Sequence, residues 1–235
     1  MKVTLQHLTK KFPNRNKKAG GDVVAVNDFT FEIPDGKLIG LLGPSGCGKS
    51  TALNLISGLL EPTAGQIFFG EDDVTHLPPE NRGVGLVFQN YALYPHLTVR
   101  QNIMFPLENL RGADKLTKAE MAERTLDAAK LVQLEGLMDR KPSELSGGQQ
   151  QRVAIARALI SKPQIILADE PTGNLDSKTS DEVIELLKVT SQKFHQTIVM
   201  ITHNNEIAQL AGCIIRIEAV SYTHLRAHET RSNIV

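Results

Sequence analysis

This sequence has few aromatic residues and no net charge. It has no tryptophan, aromatic residues make up only 5% of it, and the 26 Lys and Arg residues equal the 26 Asp and Glu residues. Without net charge there is no global field of the kind that draws proteins to phosphate backbones. We therefore do not expect nucleic acid as a partner.

Cysteine and long apolar runs are also scarce. The two cysteines, Cys47 and Cys213, are too few for a disulfide framework and favour a reducing, cytoplasmic setting. The N-terminus lacks an apolar signal core, and no stretch approaches the ~18 to 20 apolar residues that span a bilayer. A role at a membrane would require a membrane-embedded partner.

The residues that are present predict one large α/β domain. A chain of 235 residues with 41% hydrophobic residues can bury a sizeable core. Short apolar runs alternate with longer amphipathic segments, which is typical of βαβ units around a mostly parallel sheet. Continuous apolar runs at 165–168 and 198–201 predict central strands covered on both faces. We predict strands at Val3–Thr9, Phe29–Ile33, Leu38–Leu42, Gln66–Phe69, Val84–Phe88, Ile165–Ala168, Thr197–Ile201 and Ile214–Ile217.

Between about residues 90 and 159 the strand pattern gives way to helical features. Thr117 and Glu120 form a capping box ahead of apolar residues at near-helical spacing, which predicts a helical subdomain inserted into the sheet domain. The polar segment Asn14–Gly21 predicts a solvated loop. The end of the chain has no clear period, so we predict a domain over residues 1–219 and a non-native or disordered tail over 220–235.

A phosphate-binding motif lies between the strand at 38–42 and a predicted helix. The sequence at 43–50 matches G-x-x-x-x-G-K-[ST] completely, and a strand before it and a helix after it are the context that the motif requires. Backbone N–H groups of such a loop surround the β-phosphate at a helix N-terminus. Lys49 is predicted to pair with the β- and γ-phosphates, Ser50 to bind Mg²⁺ and Thr51 to contact the α-phosphate. The other predicted ATP-binding residues of the loop are Gly43, Pro44, Ser45, Gly46, Cys47 and Gly48.

Two acids at the end of a buried strand supply the second half of this site. Asp169 can hold the Mg²⁺ shell, and Glu170 can act as the general base that polarises the attacking water. A strand that ends in Asp-Glu is common, and on its own it is often only a solvated strand end. Together with the phosphate loop it predicts a P-loop NTPase.

A further motif narrows the family. The run Leu145-Ser146-Gly147-Gly148-Gln149 resembles the signature of ABC (ATP-binding cassette) transporters, and QQRVAIARAL follows it as in that family. Ser146 and Gln149 alone would be explained by a helix capping box, but the two glycines between them also allow close approach of an anion. The resemblance covers about residues 3–218, and it implies an ABC-type sheet core with an N-terminal antiparallel β subdomain.

The resemblance also implies roles that spacing does not show. Two subunits would pack head to tail, so that Ser146, Gly147, Gly148 and Gln149 of one contact the nucleotide of the other. Gln89 would meet Mg²⁺ and the attacking water, although a polar cap at a strand end is the alternative. The resemblance further assigns Asp176 to the dimer interface, His203 to the γ-phosphate and Phe12 to adenine stacking, with a buried core phenylalanine as the alternative for Phe12.

Partner and substrate follow from the family, not from the residues. The implied partners are transmembrane permease subunits and a second ATP-binding subunit, with this chain peripheral at the inner face of the cell membrane. The N-terminal two thirds, through NRGVGLVFQNYALYPHLTVRQNI, is similar to carbohydrate-importer ATPases, whereas the C-terminal third, with ADEPTGNLDSKTSDEVIELL, is similar to macrolide and lipoprotein exporter ATPases. Residues 91–99 suit either a docking surface for the permease or burial in the helical subdomain. A soluble ABC ATPase is the less favoured alternative.

Overall fold

The structure is a computed structural model that describes residues 1–14, 21–218 and 221–225. Helices and strands alternate along this part of the chain as the apolar pattern predicts. The strands are β1 (Val3–Pro13), β2 (Asp22–Ile33), β3 (Leu38–Leu42), β4 (Ala64–Phe69), β5 (Asp72–Asp73), β6 (Val84–Val87), β7 (Ile165–Asp169), β8 (Thr197–Thr202), β9 (Cys213–Glu218) and β10 (Ser221–Leu225), and the helices are α1 (Lys49–Ser57), α2 (Val99–Glu108), α3 (Lys118–Leu131), α4 (Gly147–Leu159), α5 (Ser177–Phe194) and α6 (Asn205–Gln209).

Within the described residues these strands form two sheets. The larger has the order β10-β9-β3-β8-β7-β6, in which β9 to β6 run parallel and β10 is antiparallel to β9. The smaller is antiparallel with the order β2-β1-β4-β5. Strands β3 and β8 are buried throughout, and β7 is buried except at its last residue, Asp169. The prediction that β7 and β8 are central strands covered on both faces is therefore confirmed.

Two buried clusters hold the layers together. One lies between the two sheets and includes Leu5, Ile39 and Ile56 of α1, and the other packs the parallel sheet against α4, α5 and the helical insertion through residues such as Ile155 and Leu187. The predicted helical subdomain is present as α2, α3 and the start of α4, and the predicted capping box at Thr117 opens α3. The α/β fold with a helical insertion and an N-terminal antiparallel sheet is therefore confirmed.

The antiparallel sheet extends further than the apolar pattern predicts. Strand β1 continues to Pro13, and β2 starts at Asp22 where the pattern predicts a start at Phe29. These extra residues form an outlying hairpin of mixed polar and apolar types, in which only Val26 is fully buried. Most of the loop predicted at 14–21 lies outside the described residues.

The described chain ends in a strand at the edge of the larger sheet. Residues 221–225 pair antiparallel with Ile214–Glu218. The assignment of residues 220–235 to a non-native or disordered tail stays a prediction. Tyr222 and Thr223 are residue types that favour strands, and β9 offers them an edge to pair with. Residues 219–220 and 226–235 lie outside the described part, and a domain boundary at 219 stays a prediction. No helix in the described ranges is long and apolar enough to cross a membrane.

Candidate nucleotide site

The predicted phosphate loop joins the carboxyl end of β3 to the first turn of α1. Lys49 begins α1 and is only 5% exposed. Its ammonium group donates hydrogen bonds to the carbonyl oxygens of Gly43 at 2.8 Å and Pro44 at 2.7 Å. Anionic oxygens make stronger partners for an ammonium group than neutral carbonyls do. The lysine is therefore held inside a loop where phosphate oxygens could replace those carbonyls.

Glycine at position 48 is required by both conformation and packing. Its φ of +96° is in the left-handed region, where a side chain is strained. A Cβ atom there would also clash with the carbonyl oxygen of Ala25 in β2. The antiparallel sheet thus packs directly on the backbone of the phosphate loop. Gly43, Pro44, Ser45, Gly46, Cys47, Lys49, Ser50 and Thr51 lie in this same loop and first helical turn.

Ser50 and Asp169 meet beside the loop, as the motif predicts. The Ser50 hydroxyl donates to Oδ1 of Asp169 at 3.1 Å, across the gap between α1 and β7. Burial raises the pKa of Asp169, the Glu170 carboxylate adds to this, and the hydrogen bond from Ser50 opposes it. Mg²⁺ prefers hard oxygen ligands, commonly one or two carboxylates together with substrate phosphates. The hydroxyl, the carboxylate and the adjacent phosphate loop fit that ion.

Glu170 lies at the centre of the predicted catalytic residues. It follows β7 with a φ of 44°, and strained backbone of this kind is found most often at functional sites. Its Oε1 is 3.1 Å from Nδ1 of His203, and its Oε2 accepts a hydrogen bond from Nε2 of Gln89 at 3.4 Å. The structure thus brings all three residues together. In this arrangement the Gln89 amide is directed to Glu170, and its predicted contact with Mg²⁺ stays a prediction.

The signature residues form the start of α4. Ser146 accepts from the Gln149 N–H and Gln149 accepts from the Ser146 N–H, so the predicted capping box is confirmed. A Cβ atom on Gly148 would lie closer than 3.0 Å to the methyl group of Thr179 in α5. A Cβ atom on Gly147 would approach the Tyr91 hydroxyl at 3.1 Å. The two glycines therefore serve close packing within this chain as well as any approach of an anion.

The predicted interface residue Asp176 has a local function. It is the N-cap of α5, and its carboxylate accepts hydrogen bonds from the Thr179 N–H at 3.0 Å and the Thr179 hydroxyl at 2.7 Å. These hydrogen bonds hold the pKa of Asp176 below its usual value. Its place at a dimer interface stays a prediction.

Phe12 is not a core residue, so the alternative interpretation of this side chain is wrong. It is half-buried in β1, where it pairs with Val23 of β2. The ammonium group of Lys10 lies 5.2 Å from the centre of its ring. The ring is on the outlying hairpin, whose second strand contacts Gly48 through Ala25. Adenine stacking on Phe12 stays a prediction.

Two polar contacts at and just after Gln89 are not predictable from the sequence. Asn174 donates from its amide to the Gln89 carbonyl at 2.9 Å. Arg157 of α4 donates to the carbonyl oxygens of Tyr91 and Ala92. An arginine in an amphipathic helix is normally solvent-facing, so no sequence signal points to this contact. Both residues fix the chain directly after Gln89.

A phosphate loop at a helix N-terminus, with a serine, two acids, a histidine and a glutamine around it, defines a nucleotide site of the P-loop class. The family model described as ABC transporter matches residues 26–173. The xylose/arabinose import ATP-binding protein XacJ of Haloferax volcanii is 46% identical over 202 residues, which are 86% of this chain and 50% of that protein. The chain belongs to the ABC transporter family of ATP-binding subunits.

Other similar proteins agree with this assignment. The sulfate/thiosulfate import ATP-binding protein CysA of Synechocystis is 47% identical over 88% of this chain and 55% of its own length. The dimeric structure of MJ0796, a bacterial ABC transporter cassette, matches with a TM-score of 0.83 and 36% identity, over 96% of this chain and 99% of that one. The same cassette in a post-hydrolysis state bound to ADP and Pi matches with a TM-score of 0.81. The chain spans about half the length of the curated relatives it matches.

Proposed function

We propose that this chain binds and hydrolyses ATP as the ATP-binding subunit of an ABC transporter. The observation that carries the proposal is that residues suited to bind phosphate and residues suited to activate water lie side by side in one site. Lys49 and the Ser50–Asp169 pair are suited to hold the phosphates, and Glu170 lies 3.1 Å from His203 beside them. Membership of the family and the similar cassette bound to ADP and Pi support the same activity.

Each residue has one role in the proposed reaction. Lys49 pairs with the β- and γ-phosphate oxygens, and Thr51 contacts the α-phosphate. Ser50, Asp169 and Gln89 would hold Mg²⁺, which when bound would neutralise charge that develops on the transferred phosphoryl group. Glu170 accepts a proton from the attacking water, and His203 holds Glu170 and contacts the γ-phosphate. Phe12 stacks on the adenine.

A second copy of the subunit completes the site. The capped N-terminus of α4 presents backbone N–H groups and two glycines, and a helix N-terminus favours an anion. We place this end, with Ser146 and Gly148, on the γ-phosphate of the partner subunit, and Asp176 at the interface. The dimeric form of the similar cassette supports this arrangement.

Permease subunits are the proposed membrane partner, with this chain peripheral at the inner face of the membrane. The relatives named above import sugars or sulfate, and others are named for import of Fe(3+) and of spermidine/putrescine. We favour import. Carbohydrate is the substrate class that the resemblance of residues 79–107 to carbohydrate-importer ATPases supports. Export of the macrolide or lipoprotein type is the alternative that residues 168–218 support. An adjacent gene for a substrate-binding protein favours import, and one for a permease with a large periplasmic domain favours export.

Phosphate release by the purified chain tests the proposed activity. We expect hydrolysis of ATP that requires Mg²⁺ and whose rate per subunit rises with protein concentration, because two copies form each site. A nucleotide titration on the same samples measures binding separately. Nucleotide binding without any phosphate release at high protein concentration would refute hydrolysis and leave only a binding module.

A further inference from the structure

The chain directly after Gln89 makes a strained turn. Tyr91 has a φ of 62° and Ala92 a φ of 47°, and neither is glycine. Left-handed backbone at such residues is disfavoured, and it persists only where the surrounding structure holds it. The turn therefore needs partners that fix it.

Arg157 is the side chain that holds this turn. It lies in the last turns of α4 and donates from Nη1 to the Ala92 carbonyl at 2.7 Å and from Nη2 to the Tyr91 carbonyl at 3.0 Å. Its guanidinium carbon lies 5.6 Å from the centre of the Tyr94 ring. Arg157 is partly buried, and this burial lowers the pKa of its guanidinium group. A planar fork that stacks and donates twice is a geometry that lysine cannot reproduce.

The turn connects two parts of the proposed site. On one side, Gln89 donates to Glu170, and Asn174 fixes the Gln89 carbonyl. On the other side, the Tyr91 hydroxyl lies against Gly147, at the start of the same helix that carries Arg157. A displacement of α4 therefore moves the turn at both of its contacts, and Gln89 is only two residues away from Tyr91.

We propose that Arg157 is a positioning residue for hydrolysis, which holds the turn at Tyr91 and Ala92 and thereby keeps the Gln89 amide on Glu170. The position of Gln89 then depends on the position of α4, so the signature and the hydrolytic residues move together. The inference rests on the proposed function, because it needs Gln89 to act in hydrolysis. Arg157 has no part in holding the phosphates.

A double-mutant cycle with Gln89→Ala tests this role. We expect Arg157→Lys to lower kcat about tenfold, a typical coupling within one hydrogen-bond network, while the affinity for a non-hydrolysable ATP analogue is unchanged. In the Gln89→Ala background the same change should lower kcat less than about twofold, because the residue through which Arg157 acts is gone. Arg152→Lys is the matched control, since Arg152 lies on the same helix but bonds to Glu182.

Each outcome decides a different question. If the two losses multiply in the double variant, Arg157 acts independently of Gln89 and the inference is overturned, while the proposed function stands. If Gln89→Ala leaves kcat unchanged, the proposed role of Gln89 fails and the positioning role falls with it. Equal losses in Arg157→Lys and Arg152→Lys would show general damage to α4 and would also overturn the inference.

A backbone variant covers the case in which Arg157→Lys does not fold. Ala92 is exposed, so Ala92→Val leaves the core intact but places a β-branched residue at a φ of 47°. We expect it to lower kcat and to show the same loss of effect in the Gln89→Ala background. Ala92→Gly is its pair, because glycine adopts this φ freely and should keep kcat near that of the wild type. Equal kcat for the valine and glycine variants would contradict a role for the turn.

Discussion

Replacement of Glu170 by glutamine separates chemistry from binding in the proposed site. The change keeps the shape of the side chain. In the wild type, Nε2 of Gln89 donates to Oε2 of Glu170 at 3.4 Å, and the amide oxygen of the glutamine variant can still accept this hydrogen bond. The amide cannot accept a proton from water, however. A positioned general base contributes about 10²- to 10⁴-fold to a rate, which is about 3 to 5 kcal/mol of activation free energy. We expect a loss of kcat of that size in Glu170→Gln.

Single-turnover phosphate release measures this loss, and titration with an ATP analogue measures affinity in the same preparation. Affinity should stay within about twofold of wild type, since in the proposed site Lys49 and the loop, and not Glu170, hold the phosphates. Glu206→Gln is the control, because Glu206 is a nearby exposed acid in the first turn of α6. Near-normal hydrolysis by a folded Glu170→Gln variant would refute the assignment of Glu170 as the base.

Three further changes test other parts of the structure. Lys49→Ala removes the cation of the phosphate loop and should weaken ATP binding about 10- to 100-fold, and unchanged affinity by calorimetric titration would count against its role. Arg82→Met removes a buried guanidinium that donates to four backbone carbonyls, two of them in α1, and should lower the free energy of unfolding by roughly 3 kcal/mol or more in urea titrations. An unchanged urea midpoint would contradict that. Asp169 has a raised pKa, so its ionised form destabilises the folded state above that pKa, and the penalty disappears as pH falls below the unfolded value. Asp169→Asn should therefore raise Tm at pH 7, with a gain that shrinks toward pH 3, and a gain independent of pH would contradict the burial argument.

The parallel sheet could be predicted because each of its strands is a short apolar run between turn residues. Strands such as β3 and β8 are buried on both faces, and burial of that kind leaves a continuous hydrophobic pattern in the sequence. The outer hairpin of β1 and β2 departs from that pattern, because Asn27 and Asp28 separate the apolar residues 23–26 from those that begin at Phe29. Its end is stabilised by backbone pairing of Phe12 with Val23 and of Pro13 with Asp22, and sequence periodicity does not report such pairing.

The site could be predicted where a motif defines both the residue and its backbone context. The phosphate loop, Asp169 and the capping box at Ser146 are of this kind. Arg157 and Thr179 could not be found in this way, because their importance comes from contacts between segments that are far apart in the sequence. Arg157 reaches residues 65 and 66 positions away, and no local pattern encodes such a contact.

The packing of Gly148 also changes how the signature must be tested. A side chain at this position would strike the Thr179 methyl group, whose rotamer is fixed by the hydrogen bond to Asp176. Gly148→Asp alone would therefore combine a clash within the chain with any effect on a partner's nucleotide. Thr179→Ser removes the methyl group and keeps the hydroxyl that bonds to Asp176. This second change separates the two effects.

The central claim is that the signature of one subunit completes the nucleotide site of another. The most direct test is phosphate release by the Gly148→Asp/Thr179→Ser chain, compared with Thr179→Ser alone. A carboxylate beside the partner's γ-phosphate repels it, and we expect ATP binding to be kept while hydrolysis falls about 100-fold or more, as on loss of a stabilising donor. Hydrolysis by the double variant at the rate of Thr179→Ser alone would contradict the claim.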